Sequence, residues 1–168
     1  MNTQDVTQSD LKELFSYNES TGDFTRLKSG GGRNNKIGAI AGCLQNKGYV
    51  HISIKGKLYL AHRLAWLYTQ GQWPEDQIDH VNGIRNDNRV SNLREATQSQ
   101  NQANTGSQTN SKSGVKGVSW HKAKGKWQAQ ISINSKLKYL GYFTDINEAA
   151  QAYHIAAEHY HGEFANHG

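Results

Sequence analysis

Residues 102–113 read QANTGSQTNSKS, and Ala103 is their only apolar member. A segment with so little to bury cannot run through a core, so it acts as a linker between two smaller folding units. Hydrophobic residues are only 35% of the 168, glycine occurs 17 times and proline once. That balance favours small, turn-rich units over one deep core. The expected organisation is a unit over 1–101, a linker over 102–113 and a unit over 114–168, with an α+β fold class.

Periodicity fills in the elements. Leu11, Leu14 and Phe15 give 9–16 a helical stripe, with Ser9 as a candidate N-cap. Residues 19–26 read as a turn between short strands, and 29–35 (SGGGRNN) as a loop. Tyr49, Val50, Ile52 and Ile54 begin a hairpin that turns at Lys55-Gly56-Lys57. A helix over 61–70 should follow and stop at Gly71 and Pro74. Strands are expected at 78–81 and 92–95, then a helix with a capping box of Thr97 and Gln100. Beyond the linker, strands at 115–120, 126–133 and 138–143 precede a helix over 146–161. Asp145 is its N-cap, and Ile146, Ala149, Ala150, Tyr153, Ala156, Ala157 and Tyr160 form its apolar face.

Net charge is +5, and its distribution is one-sided. Between Phe24 and Pro74 there is no Asp or Glu, but Arg26, Lys28, Arg33, Lys36, Lys47, Lys55, Lys57 and Arg63 are present. From residue 111 onward there are seven Lys, four acids and no Arg. Long one-sign tracts suit a phosphate backbone. The single cysteine, Cys43, excludes an internal disulfide and a cysteine-based zinc site, and it reads as a small buried residue. No run approaches membrane-spanning length and the N-terminus is polar, so a soluble, cytoplasmic protein without membrane association is expected.

The chemistry concentrates in 78–101, IDHVNGIRNDNRVSNLREATQSQN. Hydrolysis of a phosphodiester needs a base for water and a cation for the charge that develops on oxygen. His80 titrates near neutral pH and serves as base. Asp79 offers an anionic oxygen and Asn101 a neutral carbonyl, a donor set that suits one hard divalent ion. Asn92 can accept from one ring N–H of His80 and so fix the tautomer. Pairing of the two expected strands would bring Asn92 to His80. The alternative is an incidental Asp-His pair among turn-forming asparagines, and Asn82-Gly83 is indeed a turn signal.

The pattern HRLAW…IDH…NG…N…R…SNLR…T…N, from His62 to Asn101, resembles the HNH homing-endonuclease motif, phage-type members included. The resemblance implies a ββα-metal hairpin and helix, here with an added basic β-hairpin. It also implies His80 as general base, Asp79 and Asn101 as metal ligands, and Asn92 as the residue that orients the histidine. No histidine occurs between His80 and His121, so the oxygen-ligand version fits, favouring one Mg²⁺ or Mn²⁺ over Zn²⁺. Cleavage would leave 5′-phosphate and 3′-hydroxyl ends. Arg63, Arg85, Arg89 and Arg94 read either as phosphate contacts or as partners within the fold.

Residues 115–166 resemble the plant ethylene-response-factor (APETALA-type) DNA-binding domain, with GVKGVSW, KWQAQI, YLGYF, EAAQAYHIAA and HGEFAN as the matching stretches. That implies a three-stranded antiparallel sheet on one helix, its free face entering a major groove of double-stranded DNA. Lys116, Lys122, Lys126 and Lys138 would contact phosphates, with Trp120 and Trp127 as flat surfaces, although one Trp is expected in the core. Without Arg, bidentate guanine readout is lost and phosphate positioning dominates. The rival readings are a non-catalytic DNA-binding regulator and an RNA or structure-specific nuclease. No obligatory protein partner is evident; a monomer would nick and a homodimer could cut both strands.

Overall fold

The computed structural model describes residues 6–30, 35–106 and 112–167. Parts of the expected 29–35 loop and of the 102–113 linker lie outside these. The chain divides after Glu95 into two compact units.

The first unit opens with α1 (Gln8–Leu14). Thr7, not Ser9, caps it: the Thr7 hydroxyl accepts from the Asp10 amide, and the Asp10 carboxylate accepts from the Thr7 amide at 3.0 Å. An Asp at the third helical position completes this capping box. β1 (Phe15–Asn18) and β2 (Asp23–Arg26) form an antiparallel hairpin. A second sheet is ordered β3 (Cys43–Leu44), β4 (Val50–Ile54), β5 (Lys57–Leu60). Cys43 is exposed, contrary to expectation. α2 (Ala61–Gln70) follows β5 without a break and ends at Gly71, whose φ of 81° and N–H hydrogen bond to the Leu67 carbonyl close the helix.

Leu11, Phe15, Phe24, Ile52, Leu64 and Ala65 make the fully buried centre of this unit. Removing each large side chain from water contributes about 1.5–3 kcal/mol. Against this core lies a two-stranded sheet of β6 (Gln77–His80) and β7 (Leu93–Ala96). A 3₁₀ turn, Val90–Asn92, precedes β7, so Asn92 sits in the turn and not in the strand expected at 92–95.

The second unit begins with α3 (Gln98–Ala103), where Thr97 and Gln100 form the expected capping box. β8 (Val118–His121), β9 (Lys126–Ile133) and β10 (Lys136–Phe143) make an antiparallel sheet with β9 central. α4 (Ile146–His161), capped by Asp145, buries Ala149, Tyr153, Ala156 and Ala157 against Val118, Ala129 and Ile131. Gly117 (φ 70°) lets the chain pass under Tyr153, where a Cβ would come within 2.2 Å of the ring. The α+β class is as expected. No described helix is long and apolar enough to cross a membrane.

Candidate active site

β6 carries Ile78, Asp79 and His80 into the interior, and all three are buried. Adjacent residues of a strand point to opposite faces, so Asp79 and His80 meet different partners. The Asp79 carboxylate accepts from Arg94 Nε at 2.9 Å, and Arg94 Nη2 lies at the same distance. Of the two roles open to Arg94 in the sequence, the structure shows that of a partner within the fold, an internal counter-charge to Asp79.

His80 faces a ring of other groups. Its Nε2 lies 3.4 Å from Asn88 Oδ1. With the proton on Nε2 this contact is a hydrogen bond to the Asn88 carbonyl oxygen, and the lone pair is then on Nδ1. The His62 ring stands edge-on at 5.0 Å between centroids, and Tyr49 lies at 6.1 Å. Burial pushes the His80 pKa down, against smaller upward pulls from Asn88, Asp79 and Asp87. The imidazole is thus held neutral, the form that can take a proton. His62 is pushed further, to about 3, by burial and then by His80 and Arg63. Its Nδ1 has no hydrogen-bond partner among the described residues.

Asn92 has a different place from the one expected. Its Oδ1 accepts from the Asn82 amide at 3.0 Å and its Nδ2 donates to the Asp87 carbonyl at 2.9 Å. Its own carbonyl accepts from Val81 N–H at 2.9 Å. Asn92 clasps the 82–87 loop, and the amide described beside His80 is that of Asn88. The 3₁₀ turn that keeps Asn92 out of the strand accounts for the exchange. The density of asparagine in the loop was the available signal for Asn88; its position was not.

Asn88 is itself braced by the first hairpin. Tyr17 Oη donates to its carbonyl at 2.7 Å. Gly22 (φ 78°) packs so closely that a Cβ there would lie 2.6 Å from the Asn88 carbonyl carbon and 2.5 Å from Arg89 N. The loop is pinned elsewhere as well. Gly83 (φ 71°) makes the expected turn and donates to the His80 carbonyl at 2.8 Å. Asp87 accepts from Arg89 Nε and Asn82 Nδ2, each at 2.7 Å, and Arg89 chiefly lowers its pKa to about 2.

Arg63 and Arg85 are also engaged. Arg63 donates to the Asp76 and Pro74 carbonyls at 3.0 and 3.4 Å. Arg85 donates to the Lys47 carbonyl at 2.9 Å and lies over the Tyr49 ring. Asn101 is on α3, in the second unit. Among the described residues no three His, Cys, Asp or Glu cluster as a metal site.

In the second unit the register sorts the expected contact residues. Trp120 is paired with Trp127, and Lys138 with Ile131. Directly paired residues share a face, and Trp127 and Ile131 belong to the core. Both tryptophans and Lys138 therefore lie on the helix side, with Trp120 still 48% exposed at the edge. Lys138 Nζ contacts Tyr160 Oη of α4. Lys116 is turned inward, donating to the Ala103 carbonyl, and burial lowers its pKa to about 8. The outer face instead carries Lys126, Gln128, Gln130, Tyr139 and Tyr142, with Lys124 Nζ 4.0 Å above the Tyr142 ring. Lys122 is exposed in the turn before β9.

The family model for HNH endonucleases matches residues 59–103, which include β6, the clasped loop and β7. The chain thus carries an HNH endonuclease domain. It is also 32% identical over 111 residues to an uncharacterised HNH endonuclease of Acanthamoeba polyphaga mimivirus. That alignment covers 66% of this chain and 57% of the relative, so the chain spans just over half of its length.

Proposed function

We propose that this protein is a site-specific DNA endonuclease of homing type, which hydrolyses one phosphodiester with His80 as general base. The observation that carries this reading is a buried, neutral imidazole beside a buried carboxylate within the matched HNH segment. Nδ1 of His80 takes the proton from the attacking water. Nε2 stays on Asn88, so Asn88 takes the orienting role that the sequence pattern gives to Asn92. Asn92 acts one step back, by fixing the loop that carries Asn88.

Asp79 is the anionic oxygen donor for a hard divalent cation, Mg²⁺ or Mn²⁺. Its burial and its position next to the base fit that role, and Arg94 balances its charge. Asn101 is the second ligand on the sequence pattern alone. When bound, the cation supplies Lewis-acid stabilisation of phosphate and leaving oxygen. The products carry 5′-phosphate and 3′-hydroxyl ends. The sheet over 118–143, read as ethylene-response-factor-like, tethers the enzyme to double-stranded DNA through its outer face, with Lys122 and Lys126 on phosphates.

Incubation with supercoiled plasmid carrying the target, and separately with duplex RNA, tests the reading in Mg²⁺ and Mn²⁺. DNA cleavage with ligatable ends is expected. Preferential RNA cleavage would establish the RNA nuclease alternative, and binding with intact plasmid in every metal would establish a regulator.

A further inference from the structure

Arg26 is a buried charge with no opposite charge among the described residues. It ends β2 and is only 8% exposed. Its guanidinium carbon lies 5.3 Å from the centroid of the Phe15 ring. Its Nε has no hydrogen-bond partner among the described residues, and no described carboxylate pairs with it. Two nearby lysines already carry an acid each, Lys28 with Glu13 and Lys55 with Asp10. Buried charges are ordinarily paired because desolvation is costly. An aromatic face offsets only part of that cost.

The guanidinium borders a cavity of about 410 Å³ between the β1–β2 hairpin and the β4–β5 turn. Lys28, Ser29, Asn35, Ser53 and Lys55 also line it, with no acid among the described lining residues. Gly30 lets the backbone close over the arginine: a Cβ there would be 3.3 Å from Nη1. The Arg26 guanidinium and the Ser53 hydroxyl line it beside Lys28 and Lys55, each of which keeps N–H donors beyond the one its acid accepts, while the Ser29 hydroxyl donates to the Asn35 carbonyl. A tetrahedral phosphate oxyanion accepts through more than one oxygen, and Arg binds it through two parallel N–H groups.

We infer that this cavity is a phosphate-binding site, separate from the His80 centre. The phosphate is either a backbone phosphodiester of nucleic acid or free phosphate. The inference does not depend on cleavage, so its failure would leave the nuclease reading untouched.

The test uses the full ¹⁵N-labelled chain in EDTA, where metal-dependent cutting is blocked. The Arg26 Nε–H resonance is followed during titration with inorganic phosphate, and separately with duplex DNA, at constant ionic strength. A saturable shift with phosphate is expected, with several-fold weaker binding in Lys55→Ala. Phosphate should also raise the melting temperature of wild type by more than it raises that of Arg26→Gln. A matching shift with DNA that phosphate competes away identifies a backbone phosphate; a shift with phosphate alone identifies the free ion. If Arg26→Gln does not fold, the resonance and Lys55→Ala still decide. An Arg26 resonance unmoved by both ligands, or equal phosphate affinity in Lys55→Ala, would overturn the inference.

Discussion

The loop between β6 and β7 and the outer face of the β8–β10 sheet are both polar, yet they use polarity in opposite ways. In the loop and the strand residues that flank it each functional group is fixed by another: Asp79 by Arg94, His80 by Asn88, Asp87 by Arg89, Asn82 by Asn92. On the sheet Lys126 reaches solvent, and in the turn before β9 Lys124 lies over a ring face. Chemistry needs geometry set in advance. Backbone contact needs charge that can adapt along a polyanion. The comparison therefore predicts large, local effects from the loop and small, distributed ones from the sheet.

The largest effect should come from His80→Ala, which is expected to lower cleavage by at least about 10²-fold while DNA affinity stays near wild type. Plasmid nicking and fluorescence anisotropy measure the two; retained nicking breaks the assignment of the base. Next comes a contrast inside the loop. Asn92→Ala removes a side chain that holds two backbone groups, so it should cost about 1–3 kcal/mol of stability in denaturant titration. Asn88→Ala should cost less stability but slow turnover even where the protein is fully folded. The reverse ranking would return the orienting role to Asn92.

Acid should weaken the first unit through His62. Its folded pKa, about 3, lies below the ordinary 6.5. Between those values the unfolded chain binds the proton and the folded one does not, so stability falls as pH drops from 6.5 toward 3. Each unit corresponds to about 1.4 kcal/mol, with His80 adding in the same direction. Urea midpoints at pH 7 and 4.5 check this, and His62→Gln should flatten the difference. The smallest effect separates two lysines. Lys126→Ala should reduce the salt dependence of DNA binding by about one unit of slope. Lys116→Ala should leave that slope unchanged, because its ammonium faces the Ala103 carbonyl.

Local rules carried much of the fold. α2 and α4 run over the residues their apolar spacing marks, β9 spans 126–133 as read, and Thr97 caps α3. Sites that depend on register were less legible. Trp120 and Trp127 alternate with polar residues, but a strand's period does not say which face meets the helix. That follows only from the pairing of Val118 with Ala129. Asp79 and His80 stand out in the sequence because they are adjacent and chemically matched. Asn88 does not, since a 3₁₀ turn and a brace from Tyr17, 71 residues away, decide which of several asparagines reaches the ring. The Arg26 cavity was legible only as part of a basic tract.

The pH–rate profile of wild-type cleavage in Mg²⁺ tests the central claim most directly. A buried imidazole acting as base predicts a rate that climbs with pH, turns over below the ordinary histidine value and stays level through neutrality. A rate that falls across that range, or one that climbs unchanged in His80→Ala, would contradict it.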